Sequence, residues 1–305
     1  MTIFHLGVFL TLFFLPTCFY KQSDGQDDKA HVEVEDSHDL DAQVRVLGGR
    51  SCSTKQYGFM VLVIRTHQGT SYRTCGGTLF KPGWVLTAAH CIDESKSNYY
   101  SVIIAANTHK RTILVEKYYV HQKYSKKDSH VNDIALLELS SRLDAYFRNG
   151  DIKLVNLPKP EDNDTDPICE DGLIMGWGKM RSSEVPEIPD LQCGDVELIP
   201  NRNCEDIFRS RHYRIYQSQI CTYSEKGVAA YVGDSGGPLM CGEVQVGIVS
   251  WGMGKDEPFP NVFTKISDHF DFINQVQQGH FNGTCVLGPI LFLTIFMLIS
   301  CILVK

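Results

Sequence analysis

Three short patterns in the chain carry residue types that do chemistry together. Leu86–Cys91, LTAAHC, places His90 beside a cysteine after an apolar run, and Asn132–Leu139, NDIALLEL, opens another such run on Asp133. Gly233–Pro238, GDSGGP, sets Ser235 in a Gly-rich tight loop. A serine hydroxyl is a weak nucleophile until a base takes its proton, and an imidazole titrating near neutrality suits that work. The imidazole in turn needs a buried carboxylate to hold its tautomer and to stabilise the imidazolium as it forms. Small residues around Ser235 let main-chain N–H groups converge on one point, so those of Gly233 and Ser235 would donate to a developing oxyanion. Singly, each pattern has a plainer reading as a structural histidine, a turn aspartate or a common glycine loop. Jointly, they describe acyl transfer to a hydroxyl.

The segments that must position these residues are short and apolar. FMVLVIR, TLFKPGWVLTAA, SVIIAA, TILVEKYYV and DIALLEL are followed by LIMGWG, GDVELIP, VQVGIVSWG and NVFTKI. Runs of four to eight residues rich in β-branched and aromatic types, separated by Gly, Pro, Asn and Asp, predict strands. Many such strands without intervening helical periods predict an all-β barrel or sandwich. Asp268–Gln278 is the exception, with Phe270, Ile273 and Val276 on one helical face and Ser267 as its N-cap. No repeat of fixed short period and no metal-ligand cluster is legible, including a calcium loop between Asn107 and Glu116.

The 305 residues are 43% hydrophobic with a net charge of -7, enough apolar material for a core and no footprint for nucleic acid. Residues 1–20 hold an apolar run, Leu6 to Leu15, too short to span a bilayer and suited to a signal peptide. Residues 21–45 carry eight acids against three bases and no aromatic residue, which predicts a solvated acidic arm. Val286 to Val304 has no charge, and as a helix would reach about 28 Å, the thickness of a hydrocarbon core. The 286–305 tail therefore reads as a transmembrane anchor or as the signal for a lipid anchor, with 279–285 as the juxtamembrane stretch.

Over Val46 to Gln278 the chain resembles the chymotrypsin-like, trypsin-family serine proteases. The likeness rests on His90, Asp133 and Ser235 in that order, and on VLGG at Val46, CGGTL (Cys75–Leu79), GWG (Gly176–Gly178) and SWG (Ser250–Gly252). It implies two six-stranded antiparallel β-barrels with a C-terminal helix and a cleft between the barrels. It implies a serine endopeptidase, without cofactor or metal, acting on protein or peptide substrates and subject to protein inhibitors. It also implies a zymogen, in which cleavage after Arg45 frees the α-amine of Val46 to pair with Asp234. The acidic arm is then a pro-segment. Ser250, Trp251, Gly252, Ala229 and Asn261 fall at substrate-binding positions.

The chain departs from the family at the primary specificity pocket. Ala229 stands where trypsin-like members carry Asp, so a buried Arg or Lys side chain would lack a partner. Non-tryptic specificity follows, and with it a separate trypsin-like activator for Arg45. Tyr231 and Lys255 replace the two cysteines of a usual pocket disulfide, and Asn261 replaces a usual Gly, so the pocket should take small or medium apolar side chains or be partly blocked. Phe259 and Asp256-Glu257 lie nearby. Two rival readings are a non-catalytic homologue serving as an extracellular binding module and an adhesion or receptor ectodomain.

The resemblance also orders the eleven cysteines. It pairs Cys75 with Cys91, Cys169 with Cys241, Cys204 with Cys221 and Cys52 with Cys193, four bridges suited to an oxidising compartment. Cys18 and Cys301 fall in the signal and the tail, and Cys285 stands at the junction. Asn163 and Asn282 open glycan acceptor sequons. The expectation is a secretory-pathway protein tethered at the cell surface.

Overall fold

In a computed structural model of the chain, the apolar segments form strands that wrap twice around a core. The structure describes residues 46–95, 98–106, 109–140, 143, 152–159, 168–178, 190–253, 259–281 and 285–287. The signal, the acidic arm with Arg45, both sequons, Lys255, Asp256, Glu257 and residues 288–305 lie outside them.

Six strands build the N-terminal barrel: β2 (Met60–His67), β3 (Thr70–Lys81), β4 (Trp84–Thr87), β5 (Asn98–Ala106), β6 (His109–Val120) and β7 (Ala135–Leu139). They pair antiparallel in the order β6-β5-β2-β3-β4-β7, and β6 closes on β7. The C-terminal barrel uses β8 (Asp171–Gly176), β9 (Gln192–Ile199), β10 (Gln219–Tyr223), β11 (Pro238–Cys241), β12 (Val244–Trp251) and β13 (Asn261–Lys265). Its order is β9-β10-β13-β12-β11-β8, closed by β8 on β9. Closure leaves neither barrel an unpaired edge of its own. A two-residue strand β1 (Arg50–Ser51) adds to β9, and β14 (Cys285–Leu287) adds to β6 opposite Lys117–Tyr119, across the boundary between the juxtamembrane stretch and the tail.

Strand periodicity explains the placement. In β9, Val196 and Leu198 point inward while Asp195 and Glu197 point out. In β2, Met60 to Ile64 are all buried, because one face fills the barrel and the other meets surrounding structure. Met175, Trp177, Met240 and Ile248 of the second half belong to the same apolar cluster as Leu79, Leu86 and Leu137 of the first. Each fully buried side chain of this size contributes about 1.5–3 kcal/mol, against about 1 kcal/mol net for a hydrogen bond, so apolar packing docks the two halves. Polar ties then fix the register. Thr78 Oγ1 donates to Gln245 Oε1 at 2.7 Å and Gly76 N donates to Ser235 O at 2.8 Å.

All four disulfides implied by the resemblance are formed, with Cα atoms 5.9 to 6.2 Å apart. Three local expectations change. TLFKPGWVLTAA is a hairpin, β3 to β4, turned by Gly83 at φ +80°. Ser267 does not cap a helix: it opens a 3-10 turn, Ser267–His269, and α2 (Phe270–Gln277) follows without a side-chain cap. An unread helix, α1 (Asn201–Phe208), buries Cys204 and Phe208, four residues apart on one face. Among the described residues no helix is long and apolar enough to cross a membrane.

Candidate active site

His90 sits in the one-turn helix Ala89–Cys91 that ends β4, pinned by the Cys75–Cys91 bridge. Asp133 is fully buried two residues before β7. Its carboxylate is held three ways: His90 N donates to Oδ1 at 2.8 Å, His90 Nδ1 to Oδ2 at 2.7 Å, and Ser250 Oγ to Oδ2 at 2.6 Å. Thr264 Oγ1 also donates to the main-chain oxygen of Asp133 at 2.9 Å. With a carboxylate against Nδ1, that nitrogen carries the proton and Nε2 is left as the basic position. Two of these donors, Ser250 and Thr264, come from the other barrel.

The approach to Asp133 is strained. Ser129, His130 and Asn132 have φ of +48°, +53° and +59°, a region side chains other than glycine seldom adopt. Surrounding bonds hold them there. Asn132 Nδ2 donates to Lys123 O at 2.9 Å, His269 Nε2 lies 3.2 Å from Asn132 Oδ1, and Gln219 Nε2 donates to Ser129 O at 2.8 Å. His130 stands edge-on to His90 with ring centroids 5.8 Å apart, and burial lowers its pKa.

Ser235 is carried by the turn between β10 and β11, on the C-terminal barrel. Gly236, at φ +77°, lies against Thr87 and Ala88 so closely that a Cβ would collide with Thr87 Oγ1, and this brings the serine loop onto the strand end that carries His90. In the same turn the amides of Asp234, Gly236 and Gly237 donate to Tyr231, Val249 and Asp234 oxygens. Those of Gly233 and Ser235 find no acceptor among the described residues, and Gly233 is at φ +97°.

Asp234 is 1% exposed. Its carboxylate accepts Gly178 N at 2.8 Å and Tyr231 N at 2.9 Å, and burial pushes its pKa up to about 6 against those two bonds. Gly176 leaves the space it occupies, since a Cβ there would overlap Oδ1. Val46 is buried in the second core with Ile174 and Val196, and Leu47 exchanges main-chain bonds of 2.9 and 3.2 Å with Ala229.

Asn261 is buried and ties the segment before the Ser235 turn to the end of β12. Its Oδ1 accepts Ala230 N at 2.7 Å, and its Nδ2 lies 2.5 Å from where a Cβ on Gly252 would stand. Trp251 is half-buried beside it. The ligand-type atoms of His90, His130 and Asp133 lie within 4.8 Å of one another, but an ion there would have to displace the His90–Asp133 bond. Cys75 and Cys91, also near His90, are in a disulfide and offer no thiolate.

The structure thus brings His90, Asp133 and Ser250 into direct contact, and through Gly236 it sets the turn that carries Ser235 against the strand end that carries His90. Sequence reasoning did not find Ser250 as a partner of Asp133, Gly176 as the space for Asp234, or His130 and His269 at the approach to Asp133. Ser250, Gly176 and His130 lie in SWG, GWG and SHVND and His269 in SDHF, but no spacing rule assigns the contacts.

Two closed antiparallel barrels with a His–Asp pair on one and a serine in a Gly-rich turn on the other define a serine endopeptidase of the chymotrypsin fold. The family model described as Trypsin matches residues 46–273, and the chain belongs to that family. It is 32% identical to hypodermin-B of Hypoderma lineatum, over 73% of this chain and 84% of that one. It is 31% identical to human kallikrein-7, over 77% and 88%. Neuropsin, a serine protease expressed in the limbic system of mouse brain, superposes with a TM-score of 0.61 at 29% identity, covering 75% of this chain and 98% of that one.

Proposed function

We propose that Ser235 is the nucleophile of this endopeptidase, His90 its general base and Asp133 the group that orients the base. The Asp133 carboxylate, held by both the main-chain N–H and the imidazole Nδ1 of His90, supports this reading most directly. Ser235 Oγ attacks the carbonyl carbon as its proton passes to His90 Nε2, and the C=O electron pair moves to oxygen. The N–H groups of Gly233 and Ser235 receive that oxyanion. Collapse expels the amine, which takes the proton from His90, and water repeats the sequence to release the acid.

We further propose that the protein is made as a zymogen. Cleavage after Arg45 by a separate trypsin-like protease would give Val46 an α-ammonium for Asp234, whose carboxylate otherwise has only two N–H donors in a buried site. Asn261 fills space that a long side chain would need, so the residue before the cut is small and uncharged. The signal, sequons and apolar tail support a glycosylated, secretory-pathway enzyme tethered at the cell surface, open to protein inhibitors.

One experiment tests the core. After cleavage that exposes Val46, confirmed by N-terminal sequencing, a fluorophosphonate should label Ser235, and the Arg45→Gln protein should remain unlabelled. No labelling of the cleaved enzyme would favour the binding-module reading. Peptide-library profiling should show a small residue before the cut, and Asn261→Gly should extend acceptance to larger apolar residues by about 10- to 100-fold.

A further inference from the structure

Six exposed lysines and arginines lie on two loops that meet beside His90. One is 121–130, with Lys123, Lys126 and Lys127 exposed, and it ends at His130, edge-on to His90. The other is 208–216, with Arg209, Arg211 and Arg214 exposed. They are tied together: Arg214 N donates to Ser129 Oγ at 3.2 Å, and the Tyr216 hydroxyl donates to Asp128. Asp128, the acid of the first loop, is thereby occupied, and Asp206 is paired with Arg209.

These loops flank an aromatic floor that continues from the cleft. Tyr213, 41% exposed, stacks on Trp251 with centroids 5.0 Å apart, Phe208 stacks on Phe259, and the Arg211 guanidinium lies 5.4 Å from the centre of the Phe259 ring. Arg214 lies over Tyr216 at 4.7 Å. Trp251 Nε1 finds no acceptor among the described residues. Beneath the floor, the β11 ladder along β12 ends at Pro238–Ile248, and past the two bonds of Val249 to Gly236 and Gly237 the edge of Ser250–Gly252 has no strand partner on that side among the described residues. A peptide that adds to this edge with its carbonyl at Ser235 runs its upstream residues along Trp251 and Tyr213, beside the joined basic loops.

We infer that this rim selects substrates bearing Asp or Glu at the second to fourth residues before the cut. The inference rests on the proposed site and deepens it by naming a substrate class. Carboxylates placed there meet guanidinium groups already oriented by aromatic faces and main-chain ties, while lysines would meet like charge.

The test uses the cleaved enzyme, with its active fraction counted by fluorophosphonate labelling. Fluorogenic peptides carry alanine before the cut and Asp, Ala or Lys at the three positions upstream. The Asp peptides should exceed the Lys peptides in kcat/KM by about tenfold at low salt, and the gap should shrink toward unity near 0.5 M salt, where the screening length is about 4 Å. Arg211→Glu combined with Arg214→Glu should reverse the order, and Lys126→Gln alone should narrow it. Equal rates for Asp and Lys peptides in an enzyme that labels would overturn the rim and leave the triad standing. Preference for Lys, as expected if Asp256 and Glu257 dominate, would do the same. An enzyme that fails to label overturns both readings.

Discussion

Two aspartates are buried to the same degree on either side of the serine, and their surroundings differ. Asp133 accepts three hydrogen bonds on its carboxylate, from His90 N, His90 Nδ1 and Ser250 Oγ, drawn from both barrels. Asp234 accepts two, both from main-chain N–H groups, and its pKa rises to about 6 because burial outweighs them. The first network is complete once the chain folds. The second leaves a buried carboxylate without a cationic partner among the described residues. Burial alone therefore does not say what an aspartate is for; the count and charge of its donors do.

The contrast is sharpest at Asp133. Replacement by Asn keeps the shape but offers Nδ1 a donor in place of an acceptor, so the imidazole is held in the wrong tautomer. In the cleaved enzyme kcat should fall by about 10⁴ with the fold retained, the loss that a wrongly held tautomer brings in serine proteases. Steady-state kinetics with thermal unfolding as a control checks it. A loss below about tenfold would mean that Asp133 is structural.

At Asp234 the expected loss is smaller and depends on cleavage. In the cleaved protein Asp234→Asn leaves the Val46 ammonium buried without a counter-charge, at a cost of about 3–5 kcal/mol. That corresponds to a fall in activity of at least about a hundredfold, through a misformed Gly233–Ser235 turn. In the uncleaved protein the same change should do little harm. If cleaved and uncleaved forms respond alike, the two aspartates do not differ in the way described.

The pH dependence of the uncleaved form gives a third handle. The folded pKa of Asp234, about 6, lies above the ordinary 3.8, so the group stabilises the protein below pH 3.8 and that contribution is lost as pH rises through 6. The difference is on the order of 3 kcal/mol. In an Arg45→Gln background, Asp234→Asn should therefore match the parent near pH 4 and unfold about 5–10 °C higher near pH 8. Once Val46 is freed in the natural sequence, the ammonium should lower the aspartate pKa and reverse the sign. Identical melting curves at pH 8 would remove the argument.

How far these networks could be read beforehand follows from the range of the forces involved. Strands such as β2, β6 and β12 declare themselves, because an apolar run is a local signal. So do the three motifs, because a tight turn around Ser235 needs glycine locally. β10 and β11 were missed because QICTY and PLMC break a short apolar run with polar residues, cysteine or proline, and α1 because NRNCEDIF is mostly polar, with only Cys204, Ile207 and Phe208 apolar. The disulfides followed from family resemblance and not from spacing. What stayed hidden was contact between distant residues. Ser250 meets Asp133 across 117 positions, and Asn261 meets Ala230 across 31. No window along the chain contains either pair. The cap expected at Ser267 failed for a related reason: main-chain bonding begins one turn early, and the hydroxyl faces Asp268 Oδ1 at 3.4 Å instead.

The smallest effect tests whether the Asp133 network is as complete as its three bonds imply. Ser250 Oγ lies 2.6 Å from the same Oδ2 that faces His90 Nδ1, so it shares the charge that steadies the imidazolium. Ser250→Ala removes one charge-assisted bond, worth about 1.5–3 kcal/mol, and leaves two donors in place. If the bond is equally strong in the resting and transition states, stability falls and kcat does not. If the bond instead keeps the carboxylate aimed at Nδ1 as His90 takes the proton, kcat falls about tenfold and KM stays. Loss of stability alone would reduce Ser250 to a packing residue and leave His90 as the sole functional partner of Asp133.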